Sequence, residues 1–233
     1  MSLTHGGKPI VTDGLVLCLD GGNPKSYPGS GVTWTDLSGL GNNGTLVNGV
    51  GYNSANGGSL SFDGTNGSID IPVSSSLQAQ NFTYDIWFKL NSLPVGGNLL
   101  LTGHYQSNGT ISGLTVFEYQ GQYWFQTRFS SICCQGLLVG TSSTNIWVNF
   151  SGTWNGSTKI AYLNGVQAGT QSTSGTHSQL NNFSIGNNAD NIAAGNYNGA
   201  INGNISIVKY YNRALTPQEI QQNYNALKGR FLT

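Results

Sequence analysis

The feature that most restricts this chain is the recurrence of Asn-Gly, at residues 43, 48, 56, 66, 108, 155, 164, 198 and 202. Asn and Gly are the residues that most readily take φ > 0, and side by side they suit the type I′ turn that joins two antiparallel strands. The stretches between the pairs are short, apolar and often alternating. Leu15–Leu19 is a continuous apolar run, suited to a strand covered on both faces. Phe82, Tyr84, Ile86, Phe88 and Leu90 alternate with Thr83, Asp85, Trp87 and Lys89, the pattern of a half-buried strand. Ser59–Gly64, Ser68–Pro72, Asn98–Gly103 and Phe183–Gly186 read as shorter strands. Gly113–Tyr119 and Gln122–Phe129 predict a hairpin about Gln120-Gly121, and Trp147–Trp154 with Thr158–Asn164 predict another about Asn155-Gly156. The irregular spacing of the turns excludes a solenoid or propeller. The expected fold is all-β: an antiparallel jelly-roll sandwich over residues 14–233, preceded by an N-terminal arm at 1–13.

One helix breaks the pattern. In Gly203–Leu227 an alternating strand runs into Thr216, Pro217 and Glu219, which occupy the N-cap, first and third helical positions of a capping box. Leu215 and Ile220 have the spacing of a hydrophobic staple. Ile220, Tyr224 and Leu227 share one face, and Gly229 can close the end. So short a helix needs a surface to dock on, expected at a sheet edge or rim. Arg213 is the expected anchor of the corner before it, with a guanidinium able to bind several carbonyls.

Composition removes several function classes. Charged residues are 8% of the chain and the formal net charge is zero, against about 25% charged in an average domain. Nucleic-acid binding therefore lacks its electrostatic basis. No run is long enough to span a membrane, and the first fourteen residues have no apolar core of a signal peptide, so synthesis in the cytoplasm is expected. The three cysteines are a poor disulfide framework. Cys18 lies in an apolar strand and reads as buried; Cys133 and Cys134 suit free loop thiols, a vicinal disulfide or metal ligation.

Several blocks resemble the laminin-G-like, concanavalin A-type lectin/glucanase domains. They are Trp34-Thr35-Asp36-Leu37-Ser38-Gly39 followed by Asn42-Asn43-Gly44-Thr45, the turn Phe62-Asp63-Gly64, Trp147 through Gly152-Thr153-Trp154-Asn155-Gly156, and Tyr211-Asn212-Arg213-Ala214-Leu215-Thr216 through Glu219-Ile220. The resemblance runs from about Gly14 to Leu227. A narrower resemblance, to virion structural proteins of tailed bacteriophages and cyanobacterial ones in particular, is carried by Ile10–Val16, Ser26–Gly31, Asn223–Ala226 and Gly229–Phe231. It implies a non-enzymatic structural or decoration protein on a virion surface. Capsid or tail proteins and further copies of itself would be its partners, and cell-surface glycans its potential ligands. A free lectin or adhesin is the alternative, and a glycan hydrolase the third reading.

The residues bear on these readings unequally. Retaining glycosidases need two carboxyl groups roughly 5–5.5 Å apart. This chain has only two glutamates, Glu118 and Glu219; the second is taken by the helix cap and the first has no acidic neighbour two positions away. His5, His104 and His177 lack a Gly-x-Ser-x-Gly elbow to serve. The family resemblance implies one Ca²⁺ near the opening turn, where Asp20, Asp36 and Asn42 match, although Ser206 and Ile207 stand where an acidic pair is common. Turn aspartates also bond their own backbone. For sugar recognition the candidate surface is the outward side of the first hairpin. If Tyr119 pairs with Gln122, then Leu114, Val116, Tyr123, Phe125 and Phe129 face the core, while Phe117, Tyr119, Trp124, Gln126 and Arg128 face away. Aromatic planes cover the apolar faces of sugars, and amides or a guanidinium bond their hydroxyls. The same side would equally suit packing under a loop, on the second sheet or on a neighbouring subunit.

Overall fold

Short runs of β-branched and aromatic residues, each ended by a turn, form sixteen strands among the described residues. In chain order these are β1 (Leu15–Asp20), β2 (Thr33–Trp34), β3 (Gly44–Val47), β4 (Gly51–Asn53), β5 (Ser59–Asp63), β6 (Ser68–Ile71), β7 (Phe82–Leu90) and β8 (Leu99–His104). They continue with β9 (Gly113–Tyr119), β10 (Gln122–Phe129), β11 (Ile132–Thr141), β12 (Val148–Trp154), β13 (Thr158–Leu163), β14 (Val166–Ser172), β15 (Phe183–Ile185) and β16 (Asn202–Tyr211). One α-helix follows, α1 (Pro217–Leu227). The computed structural model describes residues 8–93, 99–104, 113–129, 132–173, 175, 183–187 and 200–232, and at 99–104, 113–114, 128–129 and 132–134 it describes the backbone alone.

The strands make two antiparallel sheets. The first runs β14-β13-β12-β7-β16-β5-β4; the second runs β11-β10-β9-β8-β15-β6-β3-β2. In the first, β5 pairs with the 202–205 half of β16 and β1 with the 207–211 half. Between the sheets lies an aromatic core that includes Trp34, Phe82, Phe125, Phe150 and Trp154. Tyr84 contacts Phe183 of the opposite sheet at 5.6 Å between ring centroids and Tyr210 of its own at 4.9 Å. The expected β-sandwich with a short C-terminal helix is the architecture found.

The Asn-Gly pairs serve more than one purpose. Asn164-Gly165 takes positive φ at both residues, 51° and 77°, between β13 and β14, and Gln120-Gly121 does the same, 52° and 78°, between β9 and β10. Asn48-Gly49 also does so but carries the chain from one sheet to the other, and Asn56-Gly57 sits in a 3₁₀ turn. At the second predicted hairpin the Asn155 side chain makes the turn, its Oδ1 accepting from Ser157 N at 3.1 Å and Thr158 N at 2.8 Å. Asn43-Gly44, Asn66-Gly67 and Asn202-Gly203 do not enter the left-handed region; the last opens β16, where ladder bonds to β5 and β7 override the turn preference. The pairs at 108 and 198 lie outside the described residues.

The helix does not sit at a rim. It covers the outer face of the first sheet together with Ile10, Val11 and Phe231. This is why Thr83, Asp85 and Trp87, which alternate toward the expected wet side of β7, are all buried. Trp87 is stacked by Phe231 (4.3 Å, 19°) and Tyr224 (5.6 Å, 6°). An outward face carrying Trp87, Ile207 and Cys18 is too apolar to leave in water, and the amphipathic helix is its cover. The cover encloses an ion pair, Lys209 Nζ to Asp85 Oδ2 at 3.3 Å, with Asn149 Nδ2 donating to Asp85 Oδ1 at 3.1 Å. Asn223 of α1 ties down residues 9–11 by accepting from Val11 N at 2.8 Å.

The capping box forms as expected: Glu219 N donates to Thr216 Oγ1, and Thr216 N to Glu219 Oε2. Arg213 finds a partner that its sequence context did not show. It grips Glu219 with two nitrogens, at 2.9 and 2.6 Å, and reaches Asp13 with Nε. That guanidinium, with the capping bonds, holds the Glu219 carboxyl down at about 2. Gly229 is not a left-handed stop; it lies inside a 3₁₀ turn, Lys228–Arg230, that continues the helix.

Candidate functional site

The β9–β10 register is the expected one, with Tyr119 opposite Gln122, Phe117 opposite Trp124 and Thr115 opposite Gln126. Opposite residues share a face, so the hairpin sorts its side chains as its alternation implies. Val116, Tyr123 and Phe125 are buried inside. Phe117 and Trp124 stand on the outer side with rings nearly parallel, 12° apart in plane and 6.4 Å between centroids. Tyr119 is 38% exposed beside them. Gly113 pairs with Arg128, which places Arg128 in register on the same face; its side chain lies outside the described residues.

Strand β11 completes this surface with residues that the hairpin alone did not reveal. Leu138, 43% exposed, pairs with Trp124, and Gly136 pairs with Gln126. A Cβ on Gly136 would stand 3.2 Å from Trp124 Cε3, so the indole lies over bare backbone. Gln122, opposite Tyr119, adds a second amide beside Gln126. Gln122 follows from the register already; Gly136 and Leu138 need the β10–β11 pairing, in which a bulge after Tyr123 shifts the alternation. The result is a row of three aromatic side chains and a leucine, flanked by two amides, on one outer sheet face.

Beneath it, on the inner side, lies Glu118. It is fully buried and its Oε1 accepts from Gly121 N at 2.7 Å and Ser142 Oγ at 3.1 Å. It therefore braces the turn from inside the sandwich and does not face the aromatic row. Glu219 is engaged by its cap and by Arg213, on the other side of the molecule. His104 contributes backbone to β8, whereas Tyr105, His5 and His177, like the side chains of Cys133 and Cys134, lie outside the described residues. Burial pushes the Cys18 thiol up to about 12, which leaves it a packed and unreactive group.

The opening turn presents a different chemistry. Asp36 Oδ1 accepts from Cys18 N and Ser38 N, both at 2.9 Å, and its Oδ2 from Ser38 Oγ at 2.6 Å and Asn42 N at 3.1 Å. Asn42 turns its amide nitrogen toward Val16 O and Ser76 Oγ. Asp20 Oδ1 accepts from Gly22 N and from Arg230 Nη1. A hard cation needs lone pairs converging from several oxygens. Here Asp36 spends its lone pairs on N–H and O–H donors and Asp20 already faces a positive charge. The set Asp20, Asp36 and Asn42 does not fit a Ca²⁺. No group of three or more His, Cys, Asp or Glu gathers for a metal among the described residues.

The sequence matches a known family. The model of the Laminin_G_3 domains, described as concanavalin A-like lectin/glucanases superfamily, matches residues 63–221. The chain belongs to this superfamily. No curated protein sequence matches it, but solved structures share its fold at low identity. The binding domain of Paraclostridial Mosquitocidal Protein 1 is 17% identical with a TM-score of 0.71, over 92% of this chain and 52% of that one. The binding domain of botulinum neurotoxin DC, solved in complex with SialylT, is 13% identical with a TM-score of 0.71, over 93% and 52%. Domain 4 of AbnA, an extracellular arabinanase from Geobacillus stearothermophilus, solved in complex with arabinotriose, is 16% identical with a TM-score of 0.67, over 90% and 98%. The lectin-like chain thus spans about half the length of the toxin binding domains it matches and nearly the whole of the arabinanase domain.

Proposed function

We propose that this domain is a non-enzymatic carbohydrate-binding module whose site is the outer face of β9, β10 and β11. The single observation that carries the reading is the parallel Phe117–Trp124 pair on the outer face, with the Trp124 indole over the bare backbone of Gly136. A pyranose or furanose ring has an apolar C–H face that packs on an aromatic plane, and Gln122, Gln126 and Tyr119 stand where hydroxyls at its rim would need partners. That two similarly folded domains are solved with sugars bound supports the class of ligand. Both glutamates are committed to structural bonds, which supports binding without bond cleavage.

The same module, displayed in many copies on a phage particle, is the setting we favour, with capsid or tail proteins and further copies as partners. The resemblance of the chain ends to virion proteins supports it, as does the charge-poor composition, since like charges on adjacent copies would repel. A free lectin would use the same site.

The test is Trp124→Ala against a panel of bacterial polysaccharides and oligosaccharides. The protein is expected to bind at least one, and the variant to bind it at least about tenfold more weakly. An unchanged midpoint of thermal unfolding in the variant excludes a folding defect. Equal affinity in the two proteins refutes the site, and silence of the wild type across the panel refutes the function. Light scattering and co-sedimentation with particles test the display role; a strict monomer that associates with no particle removes it.

A further inference from the structure

The dipeptide that makes the turns of this chain is also open to reaction with itself, and seven Asn-Gly pairs lie among the described residues. Glycine has no Cβ to shield its amide nitrogen, so that nitrogen can reach the side-chain carbon of the preceding asparagine. Two things oppose this in a folded chain: a hydrogen bond that holds the asparagine side chain turned elsewhere, and burial of the glycine. Four pairs are held by one donor on Oδ1. Asn43 accepts from Asp36 N at 2.9 Å, Asn56 from Trp147 Nε1 at 3.1 Å, Asn164 from Asn149 N at 2.9 Å and Asn202 from Asn91 Nδ2 at 3.1 Å. A fifth, Asn155, takes Ser157 N, Ser157 Oγ and Thr158 N on the same oxygen. Burial covers Gly44, Gly67, Gly165 and Gly203. Asn48-Gly49 escapes both protections. Its two residues are exposed, and a Cβ on Gly49 would meet nothing within 4 Å. The side-chain bond of Asn48 runs through Nδ2, to Asn66 O at 3.2 Å, and leaves the carbonyl unheld.

We propose that Asn48 is a site of spontaneous covalent modification, converted to isoaspartate and aspartate in the folded protein ahead of the other six described pairs. The Gly49 amide nitrogen bonds to Cγ of Asn48 and gives its proton to solvent. The side-chain amide takes up a proton and leaves as ammonia, which closes a succinimide ring. Water then opens the ring at one of its two carbonyls, giving aspartate from one and isoaspartate from the other. One water is consumed and one ammonia released, with no change of oxidation state. Asn48 and Gly49 take φ of 56° and 78° in the loop that joins β3 of one sheet to β4 of the other. Isoaspartate inserts a methylene into that backbone, and either product sets a carboxylate beside Asn66 O where a donor stood. The native chain has zero formal net charge, so each converted copy is marked by one added negative charge. This inference does not rest on carbohydrate binding.

The experiment holds the full chain at 37 °C and pH 8 and follows each Asn-Gly pair by peptide mapping with mass spectrometry. Asn48 is expected to convert at least about fivefold faster than Asn43, Asn56, Asn155, Asn164 or Asn202, the factor for one hydrogen bond that must break before attack. It should also lead Asn66, whose glycine is buried. In guanidinium chloride, where bonds and burial are lost, the seven pairs should convert at similar rates. Trp147→Phe removes the donor on Asn56 Oδ1, next to the exposed Gly57, so Asn56 should convert about fivefold faster there than in wild type. Another of the seven pairs leading in the folded wild type overturns the proposal, as does an Asn48 that stays intact. A lead of Asn48 that persists in the unfolded chain overturns it too, because the fold would then not be its cause.

Discussion

Lys159 gives the sharpest test of how this interior is held. It is fully buried, its Nζ directed from β13 across the sandwich to Thr127 Oγ1 of β10 at 3.3 Å and to the backbone oxygen of Gln135 in β11. No carboxylate pairs with it among the described residues, and burial pulls its pKa from 10.5 down to about 8. A drop of that size corresponds to about 3 kcal/mol against the charged form. At pH 7 the lysine is protonated folded and unfolded, so the whole penalty weighs on the fold. Lys159→Met removes it but leaves the Thr127 hydroxyl and the Gln135 carbonyl short of a donor, at about 1 kcal/mol each. The variant should therefore be more stable than wild type by about 1 kcal/mol at pH 7. Between about pH 8 and 10.5 the unfolded chain binds the extra proton, so wild-type stability rises across that window by this one contribution. By pH 10.5 the order is reversed, with wild type ahead by about 2 kcal/mol and a crossing near pH 9. Urea unfolding of both proteins at pH 7, 8, 9 and 10 measures the difference directly and cancels the other titrating groups. A difference that stays constant with pH refutes the reasoning, whichever protein is the more stable.

Glu219→Gln should destabilise by about 2 kcal/mol at pH 7, a value reduced for the partial exposure of the Arg213 pair. Because its carboxyl is held at about 2, this contribution is full above pH 4.5 and lost as pH falls through 2, so acid unfolding should separate wild type from the variant progressively less below pH 4.5. Gly152→Ala should cost about 2 kcal/mol, read from the denaturation midpoint, since its Cβ would stand 2.8 Å from Cζ of Phe125, which crosses from the other sheet.

Much of this architecture is legible from residues that decide their own surroundings. The hairpin about Gln120-Gly121 fixes which side Phe117 and Trp124 take, because pairing partners share a face. Thr216, Pro217 and Glu219 specify a helix start with no help from elsewhere. What sequence could not show is what covers what. Thr83, Asp85 and Trp87 read as the wet side of a half-buried strand, and only docking of α1 and Phe231 turns that side into a second core, which also encloses Lys209. Nor could local pattern reveal that Arg230 reaches Asp20, 210 positions away. Gly136 is similar: its missing side chain matters only because β11 pairs beside Trp124. Contacts between distant segments depend on topology, which turn chemistry leaves open.

The seal over the first sheet gives the molecule a back and a front. Ile10 and Phe231 both belong to that seal, so the chain arrives and departs on one side of the sandwich, while the aromatic row looks out from the other. A probe attached near residue 10 or residue 231 would therefore sit on the face opposite Phe117 and Trp124.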